Sequence, residues 1–88
     1  MATLESVAAS VREFLMTEVR PGAPADAFPD TLPLVSSGVM DSVAIARLVT
    51  FLEERYPVEF MAYELDVQWL DTVQLIAKLV FDKLRVAT

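Results

Sequence analysis

The chain has 88 residues, enough for one small domain and no second. It contains neither cysteine nor histidine, which excludes a disulfide framework, argues against a thiolate metal site and removes the usual general base near neutral pH. Thirteen acids against seven bases leave a net charge of −6, the wrong sign for a nucleic-acid partner, which is gripped by clustered Lys and Arg.

Without staples, stability has to come from apolar packing, and a mean hydropathy of +0.45 supplies the material. No stretch approaches the roughly 18 uninterrupted apolar residues of a spanning helix, so no membrane insertion is expected. Glu5 precedes any basic residue, unlike the layout of a secretory signal. The expectation is a soluble cytoplasmic protein, with residues 1–88 forming a single domain.

In chain order, Thr3 can cap a first helix over about 4–19. Leu4, Val7, Ala8, Val11, Phe14 and Leu15 recur at three- and four-residue steps and form one apolar stripe. Four of the five prolines and both glycines then fall between residues 21 and 38, so neither a long helix nor a central strand can run through that segment. Connections of about 20 residues are uncommon in small domains. This one carries Phe28, Leu32, Leu34 and Val35, which predict an ordered loop pinned to the core, with a short helical turn near 30–34.

A second helix should begin at Asp41 or Ser42, both good N-caps, and run to about Tyr56, where Pro57 stops it. Its inward stripe is Ile45, Leu48, Val49, Leu52 and Tyr56. A short helical turn is placed around Ala62 to Leu65. Asp71 or Thr72 caps a last helix with Val73, Ile76, Ala77, Val80 and Leu84 inward, and with Lys78, Lys83 and Arg85 toward its negative end. Three main helices, one short helix and a long loop between helices 1 and 2 predict an all-α fold, a small four-helix bundle.

The acids are not spread evenly. Between residues 53 and 71 stand Glu53, Glu54, Glu59, Glu64, Asp66 and Asp71 against Arg55 alone. A basic protein surface is the natural complement of such a stretch. The plainer reading is a solvated face that confers solubility.

Autonomous catalysis is not expected. A serine nucleophile needs a base, usually histidine, and the glycine-rich phosphate cradle and the Gly-x-Ser-x-Gly elbow are both missing. Glu53 and Glu54 occupy consecutive helix positions and should face solvent. On local physics alone Ser42 is a helix cap. A phosphodiester would nonetheless be well placed there, because helix N-termini offer free N–H groups and positive potential to anions.

Residues 34–80 resemble the acyl carrier protein family. The family's pattern is an apolar loop with a Gly-x-x-Asp-Ser-Leu core, a helix ending in acids and an aromatic residue, a β-branched/Glu/aliphatic triplet, a short acidic helix and an Asp/Thr-capped last helix. Here these read LVSSGVMDSV, FLEERY, PVEF, YELD and LDTVQLIAKLV. The resemblance implies that Ser42, flanked by the motif residue Asp41, receives 4′-phosphopantetheine from coenzyme A, delivered by a separate phosphopantetheinyl transferase. The reactive thiol would then belong to the arm and not to the chain.

It further implies a free-standing, monomeric carrier that holds its cargo as a thioester. An adenylating ligase or acyltransferase would load it, and downstream acyl-accepting enzymes would discharge it. Val43, Arg47, Glu53, Glu54, Met61, Ala62 and Tyr63 would meet those partners.

Asp41 matches acyl and D-alanyl carriers better than peptidyl carriers, and the Gly38–Ser42 spacing resembles stand-alone carriers of amino-acyl or aryl units. The chain departs from the family pattern in three places. Val43 stands where leucine or methionine is usual, Arg47 stands where fatty-acid carriers are commonly acidic, and Met61-Ala62-Tyr63 replaces a polar stretch. These departures point toward a specialised, secondary-metabolite carrier, with Met61–Tyr63 either an apolar lip beside the arm or core filler on a buried side. A D-alanyl carrier and a fatty-acid synthesis carrier are the alternatives. Met1 with a helix starting at once favours a free-standing chain over a domain cut from a synthase. From another class, a helical adaptor domain without a prosthetic group would use Ser42 only as a cap.

Overall fold

The computed structural model describes residues 2–86 and contains only helices, turns and loops among them. The four helices are α1 (Leu4–Phe14), α2 (Ser42–Arg55), α3 (Val67–Leu70) and α4 (Val73–Val86). Three of them are long and one is a single turn, which is the expected small bundle.

Thr3 starts α1 with a reciprocal cap: its Oγ1 accepts the Ser6 N–H at 3.1 Å, and Ser6 Oγ accepts the Thr3 N–H at 2.8 Å. The helix continues as one wide π-helical turn, Leu15–Val19, before Pro21 and Gly22 end it. Val7, Val11, Phe14 and Leu15 are buried as their spacing predicts, and α1 packs chiefly on α4. Leu4 is a correction. It lies in the first turn of the helix and is 45% exposed.

Asp41 is the N-cap of α2. Ile45, Leu48 and Leu52 turn into the core, with Val49 and Tyr56 partly buried at its edge. The last helix is capped by Thr72, whose Oγ1 accepts the Leu75 N–H at 3.0 Å. Asp71 has a different task, described below. Val73, Ile76, Ala77 and Val80 are buried, Leu84 is partly so, and Leu79 joins the core as well.

The long connection is ordered, as its apolar residues predict, although the helical turn expected near 30–34 is absent. A 3₁₀ turn forms earlier, at Ala25–Ala27, and residues 29–32 make only a hydrogen-bonded turn (Leu32 N to Pro29 O, 3.1 Å). Pro33 follows that turn, withholds the N–H that a helix over 30–34 would need and pushes Leu32 away from the helical region. Phe28, Leu34 and Met40 are essentially fully buried and act as three anchors. At about 1.5–3 kcal/mol for burying each large apolar side chain, they offset part of the ordering cost of the segment.

The short helical turn expected around Ala62 to Leu65 forms as a 3₁₀ turn at Ala62–Glu64, and α3, which the sequence reading did not place, follows it, capped by Asp66 Oδ1 on the Gln68 N–H at 2.9 Å.

Candidate functional site

The N-terminus of α2 is held from behind by the loop. The Gly38 N–H donates to Val35 O at 3.1 Å, closing a turn in which Gly38 takes φ +85°, a left-handed conformation that favours glycine. The Met40 N–H then donates to Leu34 O at 2.8 Å, with both side chains in the core. Asp71 fixes the other side of the same turn. Its Oδ1 accepts the Val35 and Ser36 N–H groups, each at 2.9 Å, and its Oδ2 accepts the Ser36 hydroxyl at 2.9 Å. The Ser36 N–H above all, with the Ser36 hydroxyl and the neighbouring N–H groups, holds the Asp71 carboxyl below its ordinary pKa against the opposing effect of partial burial.

This frame settles which residue caps α2. Asp41 Oδ1 accepts the Ala44 N–H at 2.8 Å, and Asp41 O accepts the Ile45 N–H at 2.9 Å. Ser42 is therefore the first helical residue and not the cap, contrary to the purely local reading of the sequence. Ser42 is exposed, and among the described residues its hydroxyl makes no hydrogen bond. The Ser42 and Val43 N–H groups, which precede the intrahelical ladder, are likewise open to an acceptor.

A groove of about 630 Å³ begins at Ser42. One wall is the outward face of α2, with Ser42, Val43, Ala46, Arg47, Thr50 and Phe51, ending at Glu54. The other is the end of α1 and its π-helical turn, with Phe14, Thr17 and Glu18. Arg47 Nη2 pairs with Glu18 Oε1 across the groove at 2.7 Å, and the Phe14 and Phe51 rings lie 5.4 Å apart at its floor. Phe14, Thr17, Glu18, Thr50 and Phe51 do not figure in the sequence reading of the site. The step of four from Ser42 through Ala46 to Thr50 is the signal that could have found the α2 wall.

The structure thus gathers Ser42, Val43, Arg47 and Glu54 into one surface. Asp41 adjoins it, lining a smaller cavity of about 240 Å³ with Val39 and Arg47. Glu53 points elsewhere and accepts the Phe60 N–H at 2.9 Å. Arg55 reaches back to Glu13 at 2.6 Å, and that hydrogen bond to the carboxylate raises its already high pKa.

Met61, Ala62 and Tyr63 are not among the groove's lining residues. They are not core filler either: all three are exposed, Met61 at 53% and Tyr63 at 65%. The cause is Glu64, which turns inward, accepts the Met61 N–H at 2.7 Å and pairs with Lys83 Nζ at 2.7 Å. Pinning Glu64 inside aims its apolar neighbours outward.

The acidic stretch is accordingly smaller than its composition suggests. Glu64 is buried against Lys83 and Asp71 is engaged by the loop, which leaves Glu53, Glu54, Glu59 and Asp66 exposed. Among the described residues no group of three or more Asp and Glu side chains is placed to hold a metal ion, and no helix is long and apolar enough to cross a membrane. The chain matches no family model, no curated protein and no solved structure.

Proposed function

We propose that this chain is a free-standing acyl carrier protein whose Ser42 bears a 4′-phosphopantetheine arm. One observation carries the reading: Ser42 is an exposed serine at the start of a long helix whose capping is done by the residue before it. The hydroxyl is not engaged in capping and is open to solvent, where a modifying enzyme can reach it. It also fits the group. A phosphodiester on Ser42 Oγ would find the open Ser42 and Val43 N–H groups and the positive end of a 14-residue helix.

Attachment forms the Ser42 Oγ–P bond as the pyrophosphate bond of coenzyme A breaks. The nucleotide half leaves and the hydroxyl proton passes to a base of the transferase. The arm supplies a thiol that holds the acyl unit as a thioester. The chain's own residues anchor the phosphate, keep the arm's root exposed and present a partner surface. That surface comprises Val43, Arg47, Glu54 and Glu53 around α2, with Met61–Tyr63 as an exposed apolar lip. An adenylating ligase or acyltransferase would load the carrier, and acyl-accepting enzymes in the cytoplasm would unload it, in encounters favoured by charge and short in duration.

The test is incubation with coenzyme A, magnesium and a promiscuous phosphopantetheinyl transferase. One arm should appear by mass in the wild type and none in Ser42→Ala. No addition with several transferases would discard the carrier in favour of a helical adaptor.

A further inference from the structure

The outward side of α4 carries a second stripe. Leu75, Leu79, Asp82 and Val86 are separated by four, three and four residues, the spacing of a coiled-coil seam. At about 100° per residue this stripe lies opposite Val73, Ile76, Ala77 and Val80, which fill the core where α1 and α3 pack on α4. A helix on the surface of a bundle needs one apolar stripe, not two. Leu75 is 38% and Val86 86% exposed, so the packing of this bundle accounts for neither.

Two shallow cavities open along the stripe. The larger, about 460 Å³, has Leu79, Asp82 and Val86 on α4 and Val58 and Glu59 across from them. The smaller, about 210 Å³, has Leu75, Leu79 and Asp82. Trp69 lines both, and its ring meets Tyr63 edge-on at 6.1 Å. No residue of α2 lines either cavity, so this surface is separate from the groove at Ser42.

We propose that this face of α4 docks a basic amphipathic helix of a partner protein, which seats apolar side chains in the two cavities and sets a lysine or arginine against Asp82. The proposal does not depend on the carrier reading. A partner held here leaves the Ser42 face open.

Spacing selects a helix as the occupant. The stripe runs eleven residues from Leu75 to Val86, about 16.5 Å of axis at about 1.5 Å per residue. Apolar side chains four apart on a partner helix are offset by about 6 Å, the same offset as Leu75 to Leu79 and Asp82 to Val86. Matching offsets are what let the side chains of one helix enter the gaps of another.

Charge selects the sign. Asp82 is the polar member of the stripe, and its side chain is 46% exposed. It is held at 3.0 Å by Lys78 on the same helix, an exposed pair of the kind that contributes little and that a docked cation displaces. Lys83, the other cation lining the cavities, is committed to Glu64. Glu59 on the far rim is exposed and adds negative charge. A cationic helix complements this surface. A second copy does not, since two chains of net charge −6 would have to meet.

The test titrates a synthetic amphipathic peptide of about 15 residues into isotope-labelled full-length protein. The peptide carries leucine at its apolar seam positions, with lysine opposite Asp82 and along its edges. Amide shifts at Trp69, Leu75, Leu79, Asp82 and Val86 should saturate below about 1 mM peptide. Trp69 is the one tryptophan of the chain, so its fluorescence gives a second reading. A twin peptide with glutamate for every lysine should bind at least about tenfold more weakly. Leu75→Glu and Val86→Glu alter exposed positions, and each should abolish saturation while leaving the thermal unfolding midpoint unchanged. Asp82→Lys should bring the two peptides to within a few-fold of each other. Equal binding of both peptides to the wild type, shifts along α2 instead of α4, or no saturation overturns the proposal. A concentration-dependent dimer in sedimentation that Leu75→Glu abolishes gives the face to a second copy and overturns it too.

Discussion

Lys83 Nζ meets Glu64 Oε1 at 2.7 Å, with the carboxylate side chain 5% and the ammonium side chain 19% exposed. Lys83 also lies over the Phe60 ring at 5.5 Å, so one cation ties α4 to the whole 60–64 segment. Removing one member of a buried pair strands the other, at about 3–5 kcal/mol. Lys83→Met should therefore lower stability by about 3 kcal/mol, the lower end because the ammonium keeps some solvent. Urea denaturation checks this, and an unchanged midpoint would show that the pair does not hold the segment. The double variant with Glu64→Met should recover most of the loss, because an apolar pair has no charge to strand.

Asp41 and Ser42 are neighbours with opposite expected phenotypes. Asp41→Ala removes a cap and should cost about 1 kcal/mol. Ser42→Ala removes an exposed hydroxyl with no partner and should stay within about 0.5 kcal/mol of the wild type. Paired denaturation curves measure both. A large loss in Ser42→Ala would mean that the serine has a structural role after all.

Stability should fall in acid partly through Asp71. Its folded-state pKa lies below the unfolded value of about 3.9, so its contribution is fully present well above that value. It is lost as pH falls through the unfolded and then the folded pKa, when the carboxyl protonates and releases Val35 and Ser36. Asp71→Asn should be less stable at neutral pH and show a shallower decline between about pH 5 and pH 2. Identical acid limbs in thermal unfolding scans would remove Asp71 from this role.

The exposed lip gives a prediction tied to the proposed function. Met61→Glu changes a solvent-facing side chain and should leave stability within about 0.5 kcal/mol. Loading by the cognate ligase should weaken, and unchanged loading kinetics would sink the lip as a partner contact.

Transfer between carrier and partner should also slow as salt rises, because Glu53, Glu54, Glu59 and Asp66 remain in solvent where ions screen them. Stopped-flow transfer at increasing ionic strength reads this directly, and a flat response would remove the acidic surface from recognition.

Much of the fold was legible in one dimension. Apolar residues at helical spacing placed α1 together with its π-helical turn, α2 and the start of α4 within a residue or two, because a bundle helix must bury one stripe and shows that stripe in its sequence. The Pro-rich loop was legible as ordered for the same reason, since Phe28 and Leu34 have no purpose in a solvated linker. The Asp41-Ser42 pair was legible as a candidate site only through the resemblance of the motifs around it, since on its own it reads as a helix cap.

Tertiary contacts decided the rest. Asp71 serves the distant Val35–Ser36 turn instead of its own helix, and its sequence neighbours say nothing of that. Glu64 is inside because Lys83, nineteen residues on, meets it there, and this aims Met61 and Tyr63 outward. The groove beside Ser42 exists only where the end of α1 approaches α2. Periodicity records which face of a helix is buried; which polar group finds a partner across the fold depends on where separate elements meet in space.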